Sequence, residues 1–275
     1  MHKGAKKSLE RFLAEDIGKG DITSKLLPRI RICASIISRE AGIVAGASYA
    51  KEIFLSRDCT VRLNRKDGQE VTPNQKIMTI SGDAYSILSC ERTALNLMSR
   101  MSGIATQTNA YVKKIHGINP KVRIYSTRKT APGLRLFDKE AVRIGGGYKH
   151  RISLDEMIMI KDNHIASVKS LSKLIQIAKQ KNRKIEVEVE NLNDAIVAAQ
   201  EGVNIIMLDN IQPSEITRIV KELKRFNLRK KVKLEASGGI NMSNIKSYAR
   251  SGIDMISIGR LTSSVAGLDL SLEVN

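Results

Sequence analysis

The chain has 275 residues, 42% of them hydrophobic, enough for the core of one large α/β barrel or of a barrel with a smaller companion domain. Its 46 Lys and Arg against 28 Asp and Glu leave a net charge of +18, but aromatics are only 4% with no Trp, so platforms for stacked bases are scarce and no specific nucleic-acid reader is expected. Three cysteines without CxxC spacing (Cys33, Cys59, Cys90), no apolar run of about 18 residues and no apolar signal core exclude a disulfide framework, a zinc site and a membrane span, and the chain reads as cytoplasmic with free thiols.

Residues 8–16, SLERFLAED, predict a short amphipathic helix, and Gly18, Gly20 and Asp21 a turn after it. From Ile30 to about Ile87 the runs RICASIISR, AGIVAG, TVRLNR and QKIMTIS are strand-length pieces between Gly, Pro, Asn and Asp punctuation, a small β-rich domain. Leu95, Met98, Met101, Ile104 or Ala105, Thr108, Tyr111 or Val112 and Ile115 then recur every three or four residues, the stripe of a long bridging helix that would bend, if anywhere, at Ser102-Gly103. Beyond it RIYSTR, MIMIK, KIEVEVE, NIIMLD, KVKLEAS and MISIG alternate with helical stretches, the pattern of repeated βα units in a parallel barrel or sheet.

Side chains alternate across a strand, so Ile185, Val187 and Val189 facing outward put Glu186, Glu188 and Glu190 inward. The same parity turns Lys231, Lys233 and Glu235 inward, and an interior of paired charges is expected, with Lys161 and Asp209 at strand ends. Deep in their strands Glu186 and Lys233 are expected to hold the barrel together. Glu188, Asp209 and Lys161, nearer the C-terminal ends where barrel active sites assemble, are expected to serve ligands.

Ser237-Gly238-Gly239 and Gly259-Arg260 follow two consecutive late strands, where glycine lets amide groups approach a phosphate. Arg128, Lys129, His150, Arg151 and Lys161 cluster around the glycines at 145–147 and suit a small molecule with several negative charges, Arg by bidentate forks and Lys as a point charge. The acids suit ribose hydroxyls or Mg²⁺, which prefers oxygen ligands. Phosphoribosyl diphosphate with a second, acidic substrate fits this inventory. His2 and His116 read as surface residues, and His164 as a support of the strand end.

The motifs EDIGKGDITS at 15–24, ERTALNLMSRMSGIAT at 91–106, STRKTAPGLR at 126–135, GGGYKHR at 145–151, IKDNHI at 160–165, EVEVEN at 186–191, IIMLDN at 205–210 and EASGGI at 235–240 run in order through nearly the whole chain. With them the chain resembles the quinolinate phosphoribosyltransferase family, the carboxylating nicotinate-nucleotide pyrophosphorylases. The resemblance implies an N-terminal α/β sandwich domain (1–104, with the start of the bridging helix) and an incomplete parallel α/β barrel (105–275), the last ten or so residues being able to return to the first domain. It also implies a homodimer that shares its active sites, and the conversion of quinolinate and phosphoribosyl diphosphate to nicotinate mononucleotide, diphosphate and CO₂ with Mg²⁺.

By position in those motifs, Arg128, His150 and Arg151 would hold the quinolinate carboxylates together with Arg92 from the other subunit. Lys129 and Lys161 would serve the diphosphate, and Glu188 and Asp209 the ribose hydroxyls and the metal. Ser237, Gly238 and Gly239, with Ile258, Gly259 and Arg260, would cradle the 5′-phosphate. Arg260 departs from the family's pattern, which has a small residue there, and its guanidinium either grips the phosphate or points to solvent. Two alternatives stand beside this reading: a same-fold paralogue of the molybdenum-transport-associated type with another ligand, and a basic nucleic-acid-binding protein without catalysis.

Overall fold

A computed structural model of the chain describes residues 3–275, so His2 lies outside the described residues. The chain runs through α1 (Lys3–Ile17), β1 (Arg31–Ser38), β2 (Gly42–Ile43), α2 (Ala47–Leu55), β3 (Thr60–Leu63), β4 (Glu70–Val71), β5 (Lys76–Asp83) and the long α3 (Ala84–His116). It continues with β6 (Arg123–Tyr125), α4 (Arg135–Ile144), β7 (Ile158–Ile160), α5 (Asp162–Val168), α6 (Leu171–Lys179), β8 (Ile185–Val189), α7 (Leu192–Gln200) and β9 (Ile205–Asp209). The last elements are α8 (Pro213–Arg225), β10 (Lys233–Ser237), α9 (Ile245–Arg250), β11 (Met255–Ser257), α10 (Arg260–Ser263) and β12 (Leu270–Val274). Two compact units result: Met1–Asn109 with Thr130–Gly146 and Leu261–Asn275, and Ala110–Lys129 with Gly147–Arg260.

The first unit is built on an antiparallel sheet in the order β12-β1-β5-β3. Each sheet-forming run predicted from alternation is a strand, although AGIVAG yields only the two residues of β2. Helix α2 is an addition to the predicted elements: Ala47, Ala50, Ile53 and Phe54 are buried at helical spacing, and the helix packs on β3 and β5. Helix α3 continues through Ser102-Gly103, where the glycine serves close approach, since a Cβ would lie 3.0 Å from the Gly267 Cα. Arg100 of α3 donates from Nε (2.7 Å) and Nη2 (2.9 Å) to the fully buried Asp138 of α4, and from Nη2 to the Thr262 carbonyl at 3.0 Å.

The second unit is a parallel sheet of six strands in the order β6-β11-β10-β9-β8-β7. Its edges β6 and β7 do not pair with each other, which is the incomplete α/β barrel expected; beside β6 the chain at Tyr148 makes one parallel bridge to Tyr125. Ile185, Val187 and Val189 are buried, while α8 buries Ile216, Ile219, Val220 and Leu223 along one stripe. Each such side chain contributes on the order of 2 kcal/mol. Pro213 at its first turn and Lys224 and Arg225 in its last suit the helix dipole.

The charged interior differs from the expected one. Lys231 precedes β10, and Lys233, its first residue, is exposed and pairs with Asp254 at 3.3 Å; Glu190 lies past the end of β8 and is exposed. The lysines therefore do not neutralise the inward glutamates. Glu186 and Glu235, both fully buried, instead share His150. Cys59 and Cys90 are buried free thiols and Cys33 is half-buried. Among the described residues, no helix is long and apolar enough to cross a membrane.

Candidate active site

The second unit gathers polar residues at the C-terminal ends of its strands. Arg128 and Lys129 follow β6, Gly259 follows β11, Ser237 ends β10, Asp209 ends β9, Glu188 lies near the end of β8 and Lys161 follows β7. That sequence of strands is the spatial order of the sheet, so six neighbouring strands deliver these groups to one rim. Arg92 belongs to the first unit, on α3, with its side chain 65% exposed.

Lys161 Nζ forms an ion pair with Glu188 Oε2, which fixes the lysine over the neighbouring strand. The Lys161 amide donates to His164 Nδ1 at 3.0 Å, so His164 supports the strand end, as predicted; His116 is exposed. Asp209 Oδ2 accepts from Asn210 Nδ2 at 2.7 Å, and the Asn210 amide donates to the Ser237 carbonyl at 2.9 Å, stitching the ends of β9 and β10 together. Asn210 takes a left-handed backbone (φ 54°), which asparagine tolerates. Gly238 (φ 88°) is pressed against Asn210, whereas Gly239 (φ 61°) faces open space.

The third loop is equally close-packed. A Cβ at Gly259 would lie 3.1 Å from Lys129 Cδ and 3.5 Å from Thr127 Oγ1, so the lysine stem lies across the glycine. The Thr127 hydroxyl accepts from the Lys129 amide at 3.1 Å. Ile258 is buried, leaving only its backbone for a ligand, and Arg260 is exposed at the start of α10.

His150, at φ 54°, sits two residues past the Tyr148 bridge to β6, and its ring turns into the interior. Nε2 lies 3.2 Å from Glu235 and 3.4 Å from Glu186, while Nδ1 accepts the Arg151 amide at 2.9 Å. Burial pushes the imidazole down, but the hydrogen bonds and charges of Glu186 and Glu235 outweigh it and raise His150 from 6.5 to about 9. A cationic ring must give up the Arg151 amide contact, roughly 1 kcal/mol, and its attraction to the two buried carboxylates is worth more. Burial and the charge of Glu235 raise Glu186 against the pull of His150.

Beside this triad stand two guanidiniums, Arg128 and Arg151. Arg128 Nε is buried with no hydrogen-bond partner. Arg151 is 9% exposed, donating to the Met157 carbonyl at 3.2 Å and lying 3.1 Å from Met159 Sδ. Burial, then the neighbouring Arg128 charge, holds its guanidinium below the ordinary value. Two neighbouring guanidiniums, Arg151 buried and Arg128 half-buried with its Nε enclosed, suit a small anion.

His150, Glu186 and Glu235 have ligating atoms within 4.8 Å of one another; with Nδ1 taken by the Arg151 amide, Nε2 turns its proton to the carboxylates, hydrogen-bonded to Glu235 and ion-paired with Glu186. Glu188 and Asp209 are oxygen donors on adjacent strands, the ligand type that a hard divalent cation takes. Sequence reasoning passed over Asn210, Thr127 and the structural use of Glu235. The Asp-Asn pair ending NIIMLDN was the one available signal, since asparagine after a strand tolerates the left-handed turn seen there.

The family models for the N-terminal and C-terminal domains of quinolinate phosphoribosyl transferase match residues 21–102 and 104–273. A probable nicotinate-nucleotide pyrophosphorylase (carboxylating) of Methanothermobacter thermautotrophicus is 43% identical over 273 residues, 97% of each chain. One from Bacillus subtilis is 41% identical, covering 99% of this chain and 94% of the relative. Among solved structures, the nicotinate-nucleotide pyrophosphorylase of Francisella tularensis superposes with a TM-score of 0.92 at 39% identity, over 99% of this chain and 96% of the other. NadC of Streptococcus pyogenes gives 0.91 at 37% identity, over 98% and 96%.

Proposed function

The chain belongs to the quinolinate phosphoribosyl transferase family, and from that premise we propose that it joins quinolinate to the phosphoribosyl group of phosphoribosyl diphosphate, releasing diphosphate and CO₂ and leaving nicotinate mononucleotide, a step of NAD biosynthesis. The observation that carries this reading is Arg128, whose Nε is enclosed with no hydrogen-bond partner, set beside the buried Arg151, whose guanidinium is held below its ordinary value by burial and by the Arg128 charge. A planar dicarboxylate satisfies two guanidinium forks, whereas nicotinate, with one carboxylate, engages only one of them.

Arg128 and Arg151 clamp the carboxylates, and His150 adds positive charge beneath them while its acceptors, Glu186 and Glu235, fix the ring. Lys129 and Lys161 meet the diphosphate. Glu188 and Asp209 take the ribose hydroxyls and would hold Mg²⁺. The amides of 237–239 and 258–260 hold the 5′-phosphate, with Arg260 at its edge. Holding the pyridine nitrogen in line with the anomeric carbon supplies proximity, and the lysines stabilise the departing anion, so no side-chain nucleophile is needed. When bound, Mg²⁺ neutralises charge on the diphosphate. After the nitrogen carries ribose, the ring becomes cationic; the 2-carboxylate leaves as CO₂ with its bonding pair kept on the ring carbon, a carbanion the cationic ring stabilises until solvent supplies the proton that completes nicotinate mononucleotide, while the 3-carboxylate stays clamped.

A homodimer in the cytoplasm, with Arg92 reaching the partner's site, completes the proposal. Incubation with quinolinate, phosphoribosyl diphosphate and Mg²⁺ should release CO₂ and nicotinate mononucleotide together. Absence of both products refutes the reaction, and turnover of nicotinate at a comparable rate refutes the dicarboxylate clamp. Lys161→Ala and Asp209→Asn should each lose about 10²-fold or more in rate with the fold intact.

A further inference from the structure

The rim of C-terminal strand ends leaves one large feature of the second unit unused. At the opposite end of the same strands lies a cavity of 860 Å³. Its lining includes Arg123, Ile205, Lys233 and Met255, the first residues of β6, β9, β10 and β11, and Lys184, which directly precedes β8. The size falls within the roughly 300–1,000 Å³ of small-molecule sites.

The chemistry of the cavity is divided between mouth and interior. Lys121, Arg123 and Lys184, all exposed, make no ion pair among the described residues; Lys233 shares Asp254 with Arg229. The other acid of the lining, Glu156, accepts the Ile152 amide at 2.8 Å. Three cations without counter-ions around one opening focus a positive field into it. Inside, Met157, Ile205 and Met255 form a separate apolar cluster with Tyr125 packed against it. Tyr125 is itself stacked on Tyr148, with ring centroids 5.1 Å apart, which presents a fixed aromatic wall.

We infer that this cavity is a second binding site, for a small organic phosphate with a flat apolar body, of the nucleoside monophosphate class. The base lies against Tyr125 and the methionines, and the phosphate meets Lys121, Arg123 and Lys184. A bare phosphate leaves the apolar interior wet, and a neutral ring system leaves the cations unmatched. The cavity reaches His150 and Arg151 at its inner end, so an occupant touches side chains that also shape the catalytic rim. The binding itself does not depend on the reaction proposed above.

The test is calorimetric titration of the full-length protein with AMP, with inorganic phosphate and adenosine as part-ligands, repeated in saturating phosphoribosyl diphosphate and Mg²⁺. One AMP per chain is expected, tighter than either part-ligand and undiminished by phosphoribosyl diphosphate or by Lys161→Ala. The double variant Lys121→Glu/Lys184→Glu should weaken AMP by about tenfold or more, while Lys221→Glu/Lys224→Glu on α8, with the same change in net charge, should not. Absence of AMP binding, competition by phosphoribosyl diphosphate, equal affinity for inorganic phosphate, or full affinity in the Lys121/Lys184 variant would each overturn the inference. Loss of quinolinate turnover would leave it standing.

Discussion

Gly238 and Gly239 are adjacent, both have positive φ, and a methyl group at each should have very different consequences. A Cβ at Gly238 would lie 2.6 Å from Asn210 Cγ and 2.8 Å from the Asn210 backbone nitrogen, with Oδ1 closer still; at Gly239 it meets nothing within 4 Å. The side chain of Asn210 is able to swing aside, but its backbone nitrogen is held by the Ser237 carbonyl at 2.9 Å. Alanine in left-handed backbone costs about 1 kcal/mol at either position. Forcing a methyl into filled space costs about 1 to 3 kcal/mol more. Gly238→Ala should therefore lose about 3 kcal/mol and Gly239→Ala about 1, which corresponds to Tm shifts of roughly 6–12 °C and 2–4 °C. Because Asn210 orients Asp209 through the 2.7 Å hydrogen bond, Gly238→Ala should also lower kcat by about tenfold or more. The effect of Gly239→Ala should fall on KM for phosphoribosyl diphosphate. Scanning calorimetry and steady-state kinetics on both variants decide the matter: equal Tm losses, or an unshifted Gly238→Ala, would show that Asn210 is not the obstacle.

Other expectations follow from the same geometry. Mixed subunits of the inactive Arg92→Ala and Lys161→Ala variants should regain close to one quarter of wild-type activity, since about half the dimers carry one intact site; no recovery after verified exchange places Arg92 outside the partner's site. Asp138→Asn leaves the Arg100 guanidinium without its buried carboxylate and should cost about 3–5 kcal/mol in urea unfolding; a cost under 1 kcal/mol would show that the pair is dispensable. His150 is raised from 6.5 to about 9 in the folded protein, so its stabilisation is complete below pH 6.5 and drains away as pH climbs through about 9. Unfolding free energies at pH 6 and 9.5 should differ by an amount that His150→Asn abolishes; an unchanged slope would mean that the Arg151 amide keeps the ring neutral.

The strands of the second unit were legible because their apolar runs are short and separated by helix-length intervals, and parity in KIEVEVE correctly turned Glu186 inward. Its partner was misread for two physical reasons. Strand β10 begins at Lys233 rather than earlier, so the lysines stay at the solvent end. The real partner, His150, comes from GGGYKHR, which has no strand periodicity and holds its place by one bridge and a left-handed backbone that residue type alone does not announce. Helix α2 escaped notice because its flanks, AGIVAG and TVRLNR, read as strands and only Ala47, Ala50, Ile53 and Phe54 carry its period.

Strand β12 pairs with β1 over Ala34↔Val274 to Ser38↔Leu270, so the sheet of the first unit is closed by residues more than 230 positions downstream. During synthesis β1 must wait, with one edge of amides and carbonyls bare, while the whole second unit is translated. Contacts of such sequence separation are slow to form, and a bare strand edge is a template for association with other chains. Refolding should therefore show the parallel sheet maturing before the antiparallel one, and deleting 270–275 should injure the first unit's solubility rather than the second unit's core.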